Sequence, residues 1–250
     1  MALKTSAGGP ALFLTTRWSV VLAAQEKDSP EAAEALETLC RAYWHPIYFF
    51  VRQQGHGPHD AQDLTREFIA RLLVKNYLKA AAREKGRFRT FLRVALKRFL
   101  ANEWDRARAV KRGGAQPHLP LDLVAAEARY ETNLRCESSP DRAYDYHWAM
   151  SLLEQTLVHL RQEYEAQGKA WEFDRLKESL TAERGSLPYA ELGASLAMSE
   201  GAVRVATHRM RRRFRALFRE MTAGTLAPGA SAQELDEELK YIAGLLARAG

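Results

Sequence analysis

The sequence predicts an all-α protein: two helical domains joined by a flexible linker, with a helical extension at the C-terminal end. Three observations carry this. Apolar residues recur at i, i+3, i+4 along most of the 250 residues, while the two-residue alternation of strands is almost absent. From about 113 to 139 that period is lost, in a stretch that begins "GGAQPHLPLD" and runs on to "ESSP". A second Gly/Pro-containing spacer, "AGTLAPGAS", precedes a last amphipathic segment. The expected boundaries are 16–112, linker 113–139, 140–220, and an extension at 221–250.

Each element has a local reason. A short helix is expected over Thr16 to Gln25, behind a threonine cap. A longer helical stretch covers Pro30 to Gln54; Pro30 suits a first turn, and Pro46 predicts a kink or a division. "GHGPHD" is a turn. The segment "HDAQDLTREFIARLLVK" then sets Ala61, Leu64, Phe68 and Leu72 on one helix face and Asp63, Arg66 and Glu67 on another. A long helix follows from about Arg87 to Ala109, with Phe91, Ala95, Phe99 and Leu92, Leu96 at helical spacing. Helices are expected again over Asp141 to Ala166, Lys169 to Leu180 and Ala232 to Arg248.

Charge is concentrated. The chain has a net charge of +6 and 27% charged residues. Arg83 to Arg112 holds eleven Lys/Arg against three Asp/Glu, and Arg204 to Arg219 holds seven Arg and no acid. The remainder is therefore acidic. Two basic patches on an acidic body predict a polyanion bound at two places. Cys40 and Cys136 have no metal-ligand spacing and fit a reducing compartment. No apolar run reaches the roughly 18 residues that a membrane span needs. With no signal-peptide pattern either, the expectation is a cytoplasmic protein with no membrane partner, no cofactor and no metal.

"PYAELGASLAMSEGAVRVATHRMRRRF" reads as two helices around a short turn. Pro188 opens the first, Leu192 and Leu196 are its spine, and Gly193 permits a close crossing. Ala197 stands where such turns favour glycine, because left-handed backbone costs a residue with a Cβ roughly 1 kcal/mol. Ser199 is an N-cap for the second helix. Val203, Ala206, Met210, Phe214 and Leu217 form its inner stripe, and Arg204, Val205, His208, Arg209 and Arg212 its outer face. This is helix-turn-helix spacing, in which the second helix lies in the DNA major groove.

On these residues the chain resembles bacterial RNA polymerase sigma factors of the extracytoplasmic-function class. "YAELGASLAMSEGAVRVATHRMRRRF" is similar to their region 4, which reads the −35 promoter element. "DAQDLTREFIARLL" is similar to the polymerase-binding helix of region 2, and "FRTFLRVALKRFLANEWDRARAVKR" to the part that opens and reads the −10 element. "TTRWSVVLAA" and "KGRFRTFL" look like a subgroup common in planctomycetes. The likeness covers about 16 to 220 and implies a non-enzymatic transcription initiation factor. Its implied partners are promoter DNA and core RNA polymerase, through the clamp coiled coil of the largest subunit and the flap of the second-largest. It implies polymerase contacts from Asp60, Asp63, Arg66, Glu67 and Phe68. It implies −10 contacts from Arg87, Arg89, Lys97, Arg98, Asn102, Arg106 and Arg108. For the −35 element it implies Ser199, Arg204, Val205, His208, Arg209 and Arg212. Phe91, Arg98 and Asn102 depart from the Trp, Asn and Asp that family members often carry. Among the aromatics of this region, Phe88, Phe91, Phe99 and Trp104, some belong to the core and some are offered to unstacked bases.

Two rival classes have sequence features of their own. Asp60, Asp63 and Glu67, near His56 and His59, have the spacing of Mg²⁺ ligands on one helix, but no second acidic cluster completes a metal-dependent nuclease. A polymerase-independent helix-turn-helix regulator needs only 188–214, and would dimerise on palindromes. The tail lies outside the resemblance. Ser231 and Glu234 have capping-box spacing, and Leu235, Leu239, Ile242 and Leu246 make one apolar stripe. Two destinations are open to it, a groove on the protein's own helical domains or a surface of the polymerase. The expectation is docking on the C-terminal domain, where its acidic front, Glu234, Asp236, Glu237 and Glu238, could mask the Arg204 to Arg219 patch.

Overall fold

The computed structural model describes residues 30–74, 87–109, 139–182, 188–227 and 229–247. The expected helix at 16–25 and nearly all of the linker lie outside these residues. The described residues form eight α-helices and no strand, which bears out the all-α expectation. In order they are α1 (Pro30–Gln53), α2 (Pro58–Val74), α3 (Phe88–Ala109), α4 (Pro140–Ala166), α5 (Ala170–Leu176), α6 (Tyr189–Leu196), α7 (Glu200–Gly224) and α8 (Ala232–Ala247).

Of the kink or division expected at Pro46, the division does not occur: α1 runs through it to Gln53. An internal proline costs a helix roughly 3 kcal/mol. Here Ala42, Tyr43, Trp44 and the run Ile47 to Val51 are all buried around it. Full burial of one such large side chain contributes about 1.5–3 kcal/mol, so packing outweighs the lost hydrogen bond. The expected helix at 169–180 also differs: it ends at Leu176 and continues as a 3₁₀ turn, Lys177–Leu180. Arg211 of α7 donates to the carbonyls of Ser179 (2.8 Å) and Ala182 (2.9 Å), so a distant guanidinium occupies acceptors at the end of this segment.

Apolar residues gather into two clusters. The first joins α1, α2 and α3 to Tyr144, Trp148, Ala149 and Leu152 of α4, with Met221 of α7 and Ile242 of α8. The second joins Leu160 of α4 to Phe173, Leu176, Leu196, Val203, Ala206, Met210 and Leu217. The 27-residue helix α4 thus enters both. Between them Thr156 is fully buried; its hydroxyl donates to Leu152 O at 2.8 Å and lies 3.3 Å from the sulfur of Met221.

His147 of α4 sits in the first cluster's wall, its ring stacked on Phe49 with centroids 3.4 Å apart. Burial, and secondarily the neighbouring His45, lower its pKa from 6.5 to about 3. The folded state holds this ring neutral, so its contribution is complete above pH 6.5 and is lost as pH falls towards 3. Between pH 7 and 5 the loss should be about 2 kcal/mol. In His147→Leu that part of the acid destabilisation should vanish. Urea unfolding of both proteins across pH 5–7 checks this.

Candidate nucleic-acid interface

The pair α6 and α7 and the turn between them are built as their local sequence dictates. α6 ends at Ala197, which has φ 50° and ψ 39°, the left-handed region where the sequence predicted strain. Met198 N–H donates to Gly193 O at 2.9 Å, closing the end of α6. The same fold explains Gly193: a Cβ there would stand 2.7 Å from the Met198 carbonyl oxygen. The glycine thus admits the turn's own backbone. Ser199 caps α7, its hydroxyl accepting from Ala202 N–H at 3.2 Å. Ala197 is exposed, so Ala197→Gly should relieve the backbone without opening a cavity. The expected gain is about 0.5–1 kcal/mol, after subtracting glycine's extra unfolded-state entropy. Thermal unfolding checks it; a lower melting temperature would contradict the strain.

α7 then presents two faces. Val203, Ala206, Met210 and Leu217 are buried and Phe214 is half-buried, as the period predicted; Thr207 joins them. Arg204, Val205, His208, Arg209 and Arg212 are all exposed on the opposite side, Val205 at 49%. Arg204 is pre-positioned: it pairs with Glu200 at 2.6 Å and lies 4.4 Å over the Tyr189 ring. The rest of the arginine cluster divides its labour. Arg211 is the structural donor described above, Arg213 pairs with Glu163 and Arg219 pairs with Asp236 of α8 at 2.7 Å. Among the described residues, Arg209, Arg212 and Arg215 have no ion-pair partner, which leaves a band of unneutralised positive charge along one side of α7, beside the exposed His208.

The second basic segment is arranged differently from the expectation. Arg98 and Asn102 of α3 are exposed, and so is Trp104 at 58%. Phe88 and Phe99 are core residues and Phe91 is half-buried, so Trp104 is the ring of the four that faces solvent. The side chains of Arg106 and Arg108 lie outside the described residues. Arg89 is a correction. It is 3% exposed and faces inward, in an ion pair with Glu238 of α8 and 3.5 Å from Asp145 of α4. Its guanidinium lies 4.2 Å from the Trp148 ring centroid and 5.2 Å from that of Tyr241. Burial opposes its charge, but Glu238 and then Asp145 hold its pKa above the usual value. Arg87 reaches the same Glu238 at 2.9 Å, Arg93 reaches Asp145 at 2.9 Å, and Lys97 reaches Asp141 at 2.7 Å. In this conformation the first half of α3 therefore directs its cations at the protein's own carboxylates.

On α2, Asp60 and Asp63 are exposed, and Asp63 lies 3.6 Å from Arg66. Glu67 turns inward to Arg71, which also holds Glu103 at 2.7 Å. Phe68 is a second correction: it is 4% exposed and packs on Phe99, with centroids 5.5 Å apart, so it belongs to the core and not to an external surface. Among the described residues no three His, Cys, Asp or Glu side chains converge as a metal site. Nor, among them, is any helix long and apolar enough to cross a membrane.

Sequence reasoning missed Asp145, which accepts from the Tyr241 hydroxyl at 2.5 Å, and misplaced Glu238, which it put on the tail's acidic front and which is wholly buried. Glu238 left a signal: with Leu235, Leu239 and Ile242 it completes the i, i+3, i+4, i+7 pattern. An acid on an apolar stripe predicts a buried partner cation. Comparisons with protein-family models, with curated proteins and with solved structures found no match.

Proposed function

We propose that this protein is a sigma-type transcription initiation factor that binds core RNA polymerase and directs it to promoters with −10 and −35 elements. The single observation that carries the reading is the α6–turn–α7 unit, with a serine cap, a left-handed turn residue and an outer face of Arg204, Val205, His208, Arg209 and Arg212, all exposed. Arginines at that spacing suit both phosphate contacts and paired bonds to guanine O6 and N7. Further support comes from the order of the sequence motifs and from Arg98, Asn102 and Trp104, which offer a cation, an amide and a ring on one stretch of α3. The protein itself catalyses nothing on this reading; it lends sequence specificity to the polymerase.

Asp63 is the clean probe of polymerase binding, since its side chain is 76% exposed and Glu67 is tied to Arg71. Asp63→Lys should leave the melting temperature within the small range of surface substitutions, about 0.5 kcal/mol, while reducing co-purification with core polymerase. Wild-type yield of the complex would refute the assignment of α2 as the docking helix.

A further inference from the structure

We infer that α8 is a built-in competitor for nucleic acid: its Glu238 occupies the cations at the start of α3, and binding of a polyanion there requires the tail to be displaced. The inference rests on the DNA-reading role proposed for α3. Glu238 is fully buried, and both its oxygens are engaged, Oε1 by Arg89 and Oε2 by Arg87. Asp145, itself 5% exposed, closes the ring of charge by accepting from Arg93 and from Tyr241 of the tail. Arg87, Arg89 and Arg93 thus face two carboxylates at distances at which phosphate oxygens are bound. The expected masking of Arg204 to Arg219 is met only at its end, by Arg219 and Asp236. The cations that the tail mainly covers, Arg87 and Arg89, lie at the start of α3, whereas Arg93 is held by Asp145 of α4.

The tail is made to be both docked and displaceable. Its capping box is complete, with Ser231 N–H donating to Glu234 at 2.7 Å and Glu234 N–H to Ser231 Oγ at 3.2 Å. Glu234 is held below the usual carboxylate pKa by the bonds its carboxylate accepts from the Ser231 N–H and, at 3.0 Å, from the Ser231 hydroxyl. Yet along its apolar stripe only Ile242 is fully buried; Leu235, Leu239 and Leu246 are half-covered. A helix of 16 residues is marginal once undocked, and its connection to α7, buried at Thr225 and Leu226, is exposed at Gly229, Ala230 and Ser231. A polyanion that supplies several phosphates and releases counterions competes directly for such a contact.

The test uses the full chain, without polymerase. Binding of a labelled single-stranded oligonucleotide and of a duplex is measured across salt concentrations for wild type, Glu238→Gln and Ile242→Ala. Hydrogen exchange of 232–247 is followed in the same samples. Both variants should speed tail exchange, raise oligonucleotide affinity about tenfold, and steepen the salt dependence by one to two phosphate contacts. In wild type, saturating oligonucleotide should itself speed exchange in 232–247, a result that needs no variant to fold. Faster tail exchange with unchanged affinity would overturn the inference, as would a tail that neither variant loosens or that DNA leaves protected. Promoter-directed transcription alongside any of these overturning results would remove the masking and keep the functional reading. Absence of nucleic-acid binding by every protein, together with failure to bind polymerase, would remove the functional reading itself.

Discussion

Arg89→Met should lower the unfolding free energy by about 3–5 kcal/mol, the cost typical of removing one partner from a buried ion pair. Arg89 is 3% exposed and lies between Glu238 at 0% and Asp145 at 5%. Methionine keeps the length of the side chain and part of its packing on Trp148 and Tyr241, but carries no charge. Two buried carboxylates would then share only Arg87 and Arg93, whose side chains are 39% and 22% exposed. Arg98→Met, on the exposed face of the same helix, is the control and should stay within about 0.5 kcal/mol. Denaturant unfolding distinguishes the two. Equal costs would mean that Arg89 is not the centre of a buried charge network.

Arg204→Ala should lose about 1–3 kcal/mol of promoter affinity, an effect of roughly 5-fold to 150-fold, and should relax preference at one base pair of the −35 element. Its ion pair with Glu200 joins two side chains 59% and 51% exposed, so the fold should barely register the change. Arg212→Ala should instead weaken all sequences alike and reduce the salt slope by about one phosphate. Binding of polymerase holoenzyme to a panel of −35 duplexes at several salt concentrations separates the outcomes. If both variants keep wild-type preference and salt dependence, α7 does not lie in the groove.

What the sequence made legible is local. Ser199, Ala197 and the Ser231–Glu234 box are decided within a few residues, and each has the predicted geometry. The outer face of α7 follows from a helical period and one cap. For Phe68 the period and the resemblance pointed opposite ways, and its burial against Phe99 agrees with the period. What escaped depends on distant partners. Arg89 looked like one more cation in a basic run because the carboxylate that buries it lies 149 residues away. That α1 is not divided at Pro46 depends on the partners its own aromatics find on other helices: Phe88 for Tyr43, His147 for Phe49 and Tyr144 for Phe50. The tail's destination was legible in part: its helix packs on α4 and α7, within the stretch expected to receive it, but only the three-dimensional arrangement also brings Ile242 into the cluster of α1 to α4.

The most direct test of the central claim is transcription by the purified full chain with bacterial core polymerase on a library of randomised upstream sequences. The account predicts discrete start sites preceded by two enriched elements at fixed spacing, lost when the chain is omitted and altered in the upstream element alone by Arg204→Ala. Transcripts no different from core polymerase by itself, with the free chain protecting a two-fold symmetric duplex site, would contradict it and identify a polymerase-independent regulator.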